Sequence, residues 1–405
     1  MRDVLSGVRV IELASWGFVP STGAILADWG AEVIKVEPPE GGDPMRGLAT
    51  AGLTPSGASP INFMFEWPNR GKRSVAIDVR TEDGHELLMR LVETADVLIT
   101  SYLPDVRRRL RVDLEDVRAR NPQIIYARGS GQGPEGPDAG RPGFDAVAFW
   151  SRGGIGMAYT APGSEWPLAQ RTPAFGDVYG GLAIAGGVAA ALAGRALHGE
   201  ASVVDVSLLG TAAWALSPLL AAAALYGINE LPSGDRRHTP NPLVGVYATS
   251  DRRFITLTLL QPDRWWDGLC ARLGRPELAV DPRFLDGTAR RENAGACVDA
   301  LDEAFGGRTL AQWQEAFEGF DAPWSAMQTL GEILVDPQVQ ANHYMIPIAH
   351  DESSFSVVPA PAQFDQDPPD LRRAPELGAD TDAILLELGL DMEQVIEHKV
   401  SGAVL

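Results

Sequence analysis

Residues 8–36 read VRVIELASWGFVPSTGAILADWGAEVIKV, and their order decides the fold class. Val8–Leu13 is short, apolar and β-branched, which predicts a strand. Ser21–Trp29 has the composition of a helix, with Ser21 available as a cap and Gly30 placed to end it. Glu32–Val36 returns to strand character. The alternation continues through strand Ser74–Val79, helix Glu82–Thr94, strand Asp96–Thr100, helix Leu114–Arg120 and strand Ile124–Ala127. A small-residue helix at about Val178–Ala196 and a strand at Ala201–Val206 extend it. Apolar runs that alternate with helices predict an α/β, Rossmann-like domain: a parallel sheet with helices on its faces.

Outward from this core the texture changes. Gly129–Gly143 (GSGQGPEGPDAGRPG) is too dense in Gly and Pro to be anything but loop. From about Gly234, Val244–Thr249 and Phe254–Leu259 predict a β-hairpin around the turn SDRR. Helical segments follow at Arg264–Leu273, Ala289–Phe305 and Thr309–Phe317, so a smaller α+β domain is expected within the chain. The expected boundaries are 1–205 for the large domain, 206–233 for linker helices, 234–330 for the small domain and 331–405 for the return and the tail. A last helix is expected near Thr381–Leu388.

Composition narrows the function. The 405 residues are 45% apolar and 22% charged, with a formal charge of −20. That is an ordinary globular balance, and so acidic a surface repels nucleic acid and anionic membranes. Cys270 and Cys297 have neither metal-ligand nor CxxC spacing, so a reducing compartment and no disulfide framework are expected. The start, MRDVLSGVRVIEL, carries Asp3 and Glu12 and lacks the apolar stretch of a signal peptide. Val206–Asn229 is uncharged and long enough to span a bilayer, but Pro218 interrupts it and no Lys/Arg cluster flanks it closely. The expectation is a buried helix pair broken at Pro218, in a cytoplasmic protein.

Common catalytic patterns are missing from the sequence. Gly129, Gly131 and Gly133 follow a strand, yet Pro134 and Pro137 prevent the helix that would hold a pyrophosphate. Six histidines form no HxH or HxxxH pair, and no GxSxG elbow or P-loop occurs, so no metal site is expected. Isolated cations near strand ends (Lys35, Arg46, Lys72, Arg73, Arg80, Arg107–Arg109 and Arg141) read either as a polyphosphate site or as ordinary surface charges. Asp177, between Gly176 and an apolar helix, reads either as an N-cap or as an accessible carboxylate nucleophile.

Taken together, LSGVRVIEL, LADWGAEVIKVEPPEGGDPMR, NRGKRSVAIDVRTEDG, ADVLITSYLPDVRRRL, GSGQGPEGPDAGRPGFDAV, the Asp177 segment with GGLAIAGGVAAAL, PNPLVGVYATSDRRFITL and DPQVQANHYM resemble the family III (CaiB/BaiF) CoA-transferases. That family includes the formyl-CoA, carnitine and bile-acid CoA-transferases and the related α-methylacyl-CoA racemases. The resemblance runs along nearly the whole chain in order. It implies an interlaced, ring-like homodimer in which each Rossmann-like domain is interrupted by a linker and a small domain. It implies coenzyme A or acyl-CoA as a substrate, a carboxylic acid as acceptor, and no permanently bound cofactor.

By the same resemblance, Asp177 falls at the position of the nucleophile and Asp145 at a supporting acidic position. Arg80, Arg109 and Arg141 fall at or beside phosphate contacts, and Ser101 and Tyr102 stand where relatives often carry Asn-Phe near the nucleotide. Three departures bear on substrate and reaction. Gly17-Phe18-Val19 stands where relatives often carry Ala-Gly before Pro20. The glycine-run loop of the oxalate enzymes is absent around Asn241–Val246, and Phe144 replaces the histidine that racemases place before their aspartate. The first two count against oxalate as acceptor. The alternatives carried forward are an α-methylacyl-CoA racemase or epimerase and a non-catalytic acyl-CoA-binding paralogue. Phe149, Trp150, Met157, Tyr159 and Trp166 are expected either to line an apolar acyl pocket or to be core or dimer-interface residues.

Overall fold

A computed structural model describes residues 3–48, 61–229, 234–350 and 353–405. Six strands form one sheet: β1 (Arg9–Leu13), β2 (Glu32–Glu37), β3 (Arg73–Ala76), β4 (Val97–Thr100), β5 (Ile125–Ser130) and β6 (Val203–Ser207), in the order β3-β2-β1-β4-β5-β6. Every pairing is parallel. Both faces are covered, and the central strands bury apolar side chains on each, with a few charged residues such as Glu12 and Lys35 among them. Successive side chains go to opposite faces. Val10, Val97 and Ile99 thus join one core, and Ile11, Leu13 and Leu98 join the other. Val10, Ile11, Leu98 and Ile99 are fully buried, a contribution of about 1.5–3 kcal/mol each.

The first core is closed by α1 (Phe18–Asp28). Helices α2 (Phe63–Asn69), α3 (Glu82–Glu93), α4 (Pro104–Leu110) and α5 (Leu114–Arg120) follow in order along the first half of the chain. Residues Ala146–Arg152 form a π-helical turn, α6 (Ile155–Ala158) follows, and α7 (Phe175–His198) is the longest helix. Helices α1 and α7 pack tightly because α7 offers glycines. A β-carbon at Gly181 would stand 1.8 Å from Ser21 Oγ, and one at Gly180 would stand 2.3 Å from the Phe18 ring.

Contacts divide the chain into two units, Met1–Glu230 with Gln340–Leu405, and Leu231–Val339. The second contains β7 (Val244–Ala248), β8 (Phe254–Thr258) and β9 (Trp324–Ala326) as an antiparallel sheet. Its core includes α10 (Pro262–Leu273), α12 (Ala294–Phe305) and α13 (Leu310–Ala316), with the short α11 (Gly287–Glu292) leading into α12. The expected Ala289–Phe305 helix is therefore two helices, parted at Asn293. Cys270 and Cys297 share this core as free thiols, and burial pushes both up to about 12.

Three local expectations are corrected. Helix α1 starts at Phe18, so Ser21 lies inside it and its hydroxyl donates to Phe18 O at 2.7 Å instead of capping. The apolar pair α8 (Leu208–Ala215) and α9 (Ser217–Tyr226) breaks at Leu216 with a 72° bend, and Pro218 sits harmlessly in the first turn of α9. No residue of α9 is buried, contrary to the expected buried pair. Among the described residues α7 is the one single helix long and apolar enough to cross a membrane by length and composition, the bent α8–α9 pair passing only if counted together, and α7 packs on α1. A hairpin (Ile346–His350 with Ser353–Val357) and a final helix (Met392–Val400) had no clear sequence signal.

Candidate active site

The strand order turns around between β1 and β4, and the crevice at the carboxyl ends of such strands is where open α/β sheets bind ligands. After β1 the chain turns sharply. Ser15 N–H donates to Ser101 Oγ, just beyond β4, at 3.2 Å. Trp16 takes a left-handed backbone with φ +70°. Gly17 then leads into α1. Beside this turn lies an open cleft of about 590 Å³, whose walls include Trp16, Gly17, Met45, Met64, Phe144, Asp145 and Asp177, with Gln170 and Arg171 at its polar side.

Asp177 stands in the first turn of α7 but does not cap it. The helix begins two residues earlier, with Ala174 at the cap position. The carboxylate that serves the exposed helix amides comes from a distant segment: Asp145 Oδ1 accepts Gly176 N–H at 2.9 Å, and Asp145 Oδ2 accepts Gln170 Nε2–H at 2.5 Å. Asp145 is buried and sits where the π-helical turn starts, a distortion common at functional sites. With the amides served by Asp145, the Asp177 carboxylate has no hydrogen-bond partner among the described residues. It faces Gly17, where a β-carbon would stand 2.8 Å from Oδ2.

The two carboxyls therefore differ. Burial, and then the neighbouring Asp145 charge, push Asp177 up to about 7. Burial also raises Asp145, against hydrogen bonds from Gln170, Gly176 and Phe175. A carboxylate that is half-buried, unbonded and ionisable near neutrality is equipped to act as a nucleophile or a base.

The remaining sequence candidates lie elsewhere. Ser101 is at the switch point. The Tyr102 ring is partly buried against the second core, and its carbonyl accepts from Arg107 at 2.7 Å. Arg80 is exposed on the connection after β3 and held bidentately by Asp78 at 2.7 and 2.8 Å. Arg109 is exposed in the last turn of α4 and has no ion pair among the described residues. Arg141 is exposed, 3.9 Å from Asp138. None of these five lines the cleft with Asp177.

Several other cations are withdrawn as ligand contacts. Lys35 and Lys72 are fully buried against Glu12, Arg46 pairs with Glu37, Arg73 with Glu32 and Glu387, and Arg107 with Asp113. The residues expected at an acyl pocket, a core or a dimer interface divide between core and surface. Phe149 is core, while Met157, Tyr159 and Trp166 are exposed, and none of them lines this cleft. Its apolar wall comes from Trp16, Met45, Leu48, Met64 and Phe144, which no local spacing groups together. Among the described residues no three His, Cys, Asp or Glu side chains converge as a metal site.

Comparison with known proteins agrees with this geometry. The sequence model of CoA-transferase family III matches residues 5–381. The chain is 32% identical to the (R)-2-hydroxy-4-methylpentanoate CoA-transferase of Clostridioides difficile, over 99% of each chain. It is 29% identical to the cinnamoyl-CoA:phenyllactate CoA-transferase of Clostridium sporogenes, over 98% of this chain and 96% of that one. Among solved structures, a CaiB/BaiF family protein from Brucella suis superposes with a TM-score of 0.80 at 30% identity, over 95% of this chain and 99% of that one. A parallel six-stranded α/β sheet, a carboxylate-bearing cleft at the switch point and a match along nearly the whole length converge on one conclusion: the chain belongs to CoA-transferase family III and is an enzyme of the CoA-transferase type.

Proposed function

We propose that the protein moves CoA from an acyl-CoA thioester to a carboxylic acid, with Asp177 as covalent nucleophile. The observation that carries this reading is the Asp177 carboxylate itself: unbonded among the described residues, raised to about 7, and set in a cleft beside Gly17. An Asp177 oxygen attacks the donor thioester carbonyl and expels CoA thiolate, leaving a mixed anhydride. The thiolate attacks the aspartyl carbonyl, releases the donor acid and leaves an aspartyl-CoA thioester. The acceptor carboxylate attacks that thioester, giving a new anhydride, and the expelled thiolate attacks the acceptor's acyl carbon. Acyl-CoA departs and Asp177 is restored. Every intermediate keeps an activated carbonyl, as an anhydride or an aspartyl thioester, so the site must keep water out. Asp145 holds the amide before Asp177 and raises its pKa, a supporting role.

For coenzyme A, we place the nucleotide near Ser101 and Tyr102 at the switch point, with Arg109, Arg141 and Arg80 as phosphate contacts. Arg80 would first have to leave Asp78. The acceptors that fit best are apolar acids, in keeping with the Trp16, Met45, Met64 and Phe144 walls and with the names of the two relatives. We also infer an interlaced homodimer, with 206–233 as linker between the large domain and a small domain at 234–330, the chain returning from 331. The bare apolar surface of α9 (Leu219, Leu220, Leu225, Tyr226) supports a partner of that kind. A cytoplasmic location is part of this reading, and the formal charge of −20 speaks against nucleic-acid and anionic-membrane partners. The racemase reading is not favoured, because Phe144 supplies no base beside Asp145. The deciding experiment is mass spectrometry of the protein after mixing with acyl-CoAs, with borohydride or hydroxylamine trapping at Asp177.

A further inference from the structure

Close to the cleft lies a buried ionic cluster that this chemistry does not use. Glu12, Lys35, Asp43 and Lys72 are all buried. Lys35 Nζ lies 3.0 Å from Glu12 Oε1 and 2.8 Å from Asp43 Oδ2, and Lys72 Nζ lies 2.6 Å from Glu12 Oε2. The other Asp43 oxygen, Oδ1, accepts Trp16 N–H at 3.2 Å and Met45 N–H at 2.9 Å. Trp16 follows β1 and Met45 follows β2, and both line the cleft. One carboxylate, fixed from behind by Lys35, therefore ties two wall residues on separate connections.

Trp16 needs such a tie. Its left-handed backbone is uncommon for a bulky residue and persists only where the surroundings hold it. The conformation aims the indole at Phe144, which it meets edge-on with centroids 5.4 Å apart and planes at 87°. Phe144 is 58% exposed although it is a large apolar ring, and it immediately precedes Asp145.

We propose that the Trp16–Phe144 pair is the specificity wall for carboxylic acids with aromatic or branched apolar side chains, and that Asp43 is the positioning residue that sets it. The inference rests on the reading of Asp177 as nucleophile and deepens it. An acid whose carboxylate faces Asp177 would lay its side chain along the two rings, where edge contacts and area removed from water favour a flat or branched group over a methyl.

The test uses the full-length protein with whichever of acetyl-, butyryl- and 3-phenylpropanoyl-CoA labels Asp177 best. The acceptors are 3-phenylpropanoate and acetate. Phe144→Ala should lower the kcat/KM ratio of 3-phenylpropanoate over acetate at least tenfold, with a larger rise in KM for the larger acid than for acetate. Asp43→Ala should lower it similarly, whereas Asp43→Asn, which keeps an oxygen for both amides, should restore most of it. Should Asp43→Ala not fold, the Asp43→Ala/Lys35→Met double variant removes the stranded cation and takes its place. A ratio unchanged within twofold in Phe144→Ala and in the Asp43 variant overturns the proposal, as does an equal loss for both acceptors.

Calorimetric titration with 3-phenylpropanoate separates the two readings. Tenfold weaker binding by Phe144→Ala, with no Asp177 adduct in the wild type, supports the wall while the nucleophile reading fails. An adduct at Asp177 with binding unchanged in Phe144→Ala overturns the wall while the nucleophile reading stands.

Discussion

Gly17 lies so close to Asp177 that a β-carbon on it would stand 2.8 Å from the carboxylate Oδ2, with the Trp67 ring at 3.2 Å on another side. Nothing larger than hydrogen fits unless the carboxylate moves. Gly17→Ala should therefore lower kcat about 100-fold by misplacing the nucleophile, while the melting temperature falls by only a few degrees. Steady-state kinetics and a thermal melt on the same preparation check this.

The raised pKa of Asp177 predicts a pH profile. The nucleophile must be ionised, so kcat should rise with pH through a limb near 7. Removing the neighbouring charge with Asp145→Asn should move that limb to lower pH, in a buffer series at constant ionic strength. Stability should run the other way. A carboxyl raised above its unfolded value of 3.8 lets the folded state bind more protons than the unfolded state. Its contribution is complete below about 4 and is lost as pH rises through about 7. Asp177→Asn should thus raise the melting temperature at pH 8 and change it little at pH 4. Discounted for partial exposure, the gain should be about 1–2 kcal/mol.

Glu12 is the common partner of Lys35 and Lys72, at 3.0 and 2.6 Å. Glu12→Ala strands buried positive charge, which costs about 3–5 kcal/mol. Urea denaturation should show that loss. Glu12→Gln, which keeps an oxygen, should lose less.

Arg109 is exposed without an ion pair among the described residues and Arg141 is exposed with only a 3.9 Å pairing to Asp138, whereas Arg80 is held bidentately by Asp78. Replacing Arg109 or Arg141 by Ala should raise KM for the CoA thioester about five- to tenfold with kcat unchanged, and the effect should shrink in high salt as screening grows. Arg80→Ala should do less. Initial rates at two ionic strengths decide it.

How much of this was legible in the chain differs by distance along it. The strands and most helices of the sheet were readable because each is set by local apolar pattern, and β1 and Leu114–Arg120 fall almost where expected. The start of α1 was misjudged because Ser21 looks like a cap, yet its hydroxyl turns inward against α7. Asp177 was ambiguous between cap and nucleophile for a related reason. The group that serves the amides of α7 is Asp145, 31 residues upstream of Gly176, and no local signal announces it. The ionic cluster was invisible for the same cause. Lys35 and Lys72 look like surface cations until folding places them on Glu12, 23 and 60 residues away. The aromatic pair of Trp16 and Phe144 spans 128 positions and comes together only through the left-handed turn after β1.

The most direct test of the central claim is peptide mass spectrometry of the protein mixed with an acyl-CoA panel and trapped with borohydride or hydroxylamine. The account predicts a CoA-derived adduct, or its trapped product, on the peptide containing Asp177, and none in Asp177→Ala, whose acyl exchange is abolished. Sustained turnover by Asp177→Ala, or an adduct on any other residue in the wild type, would contradict it.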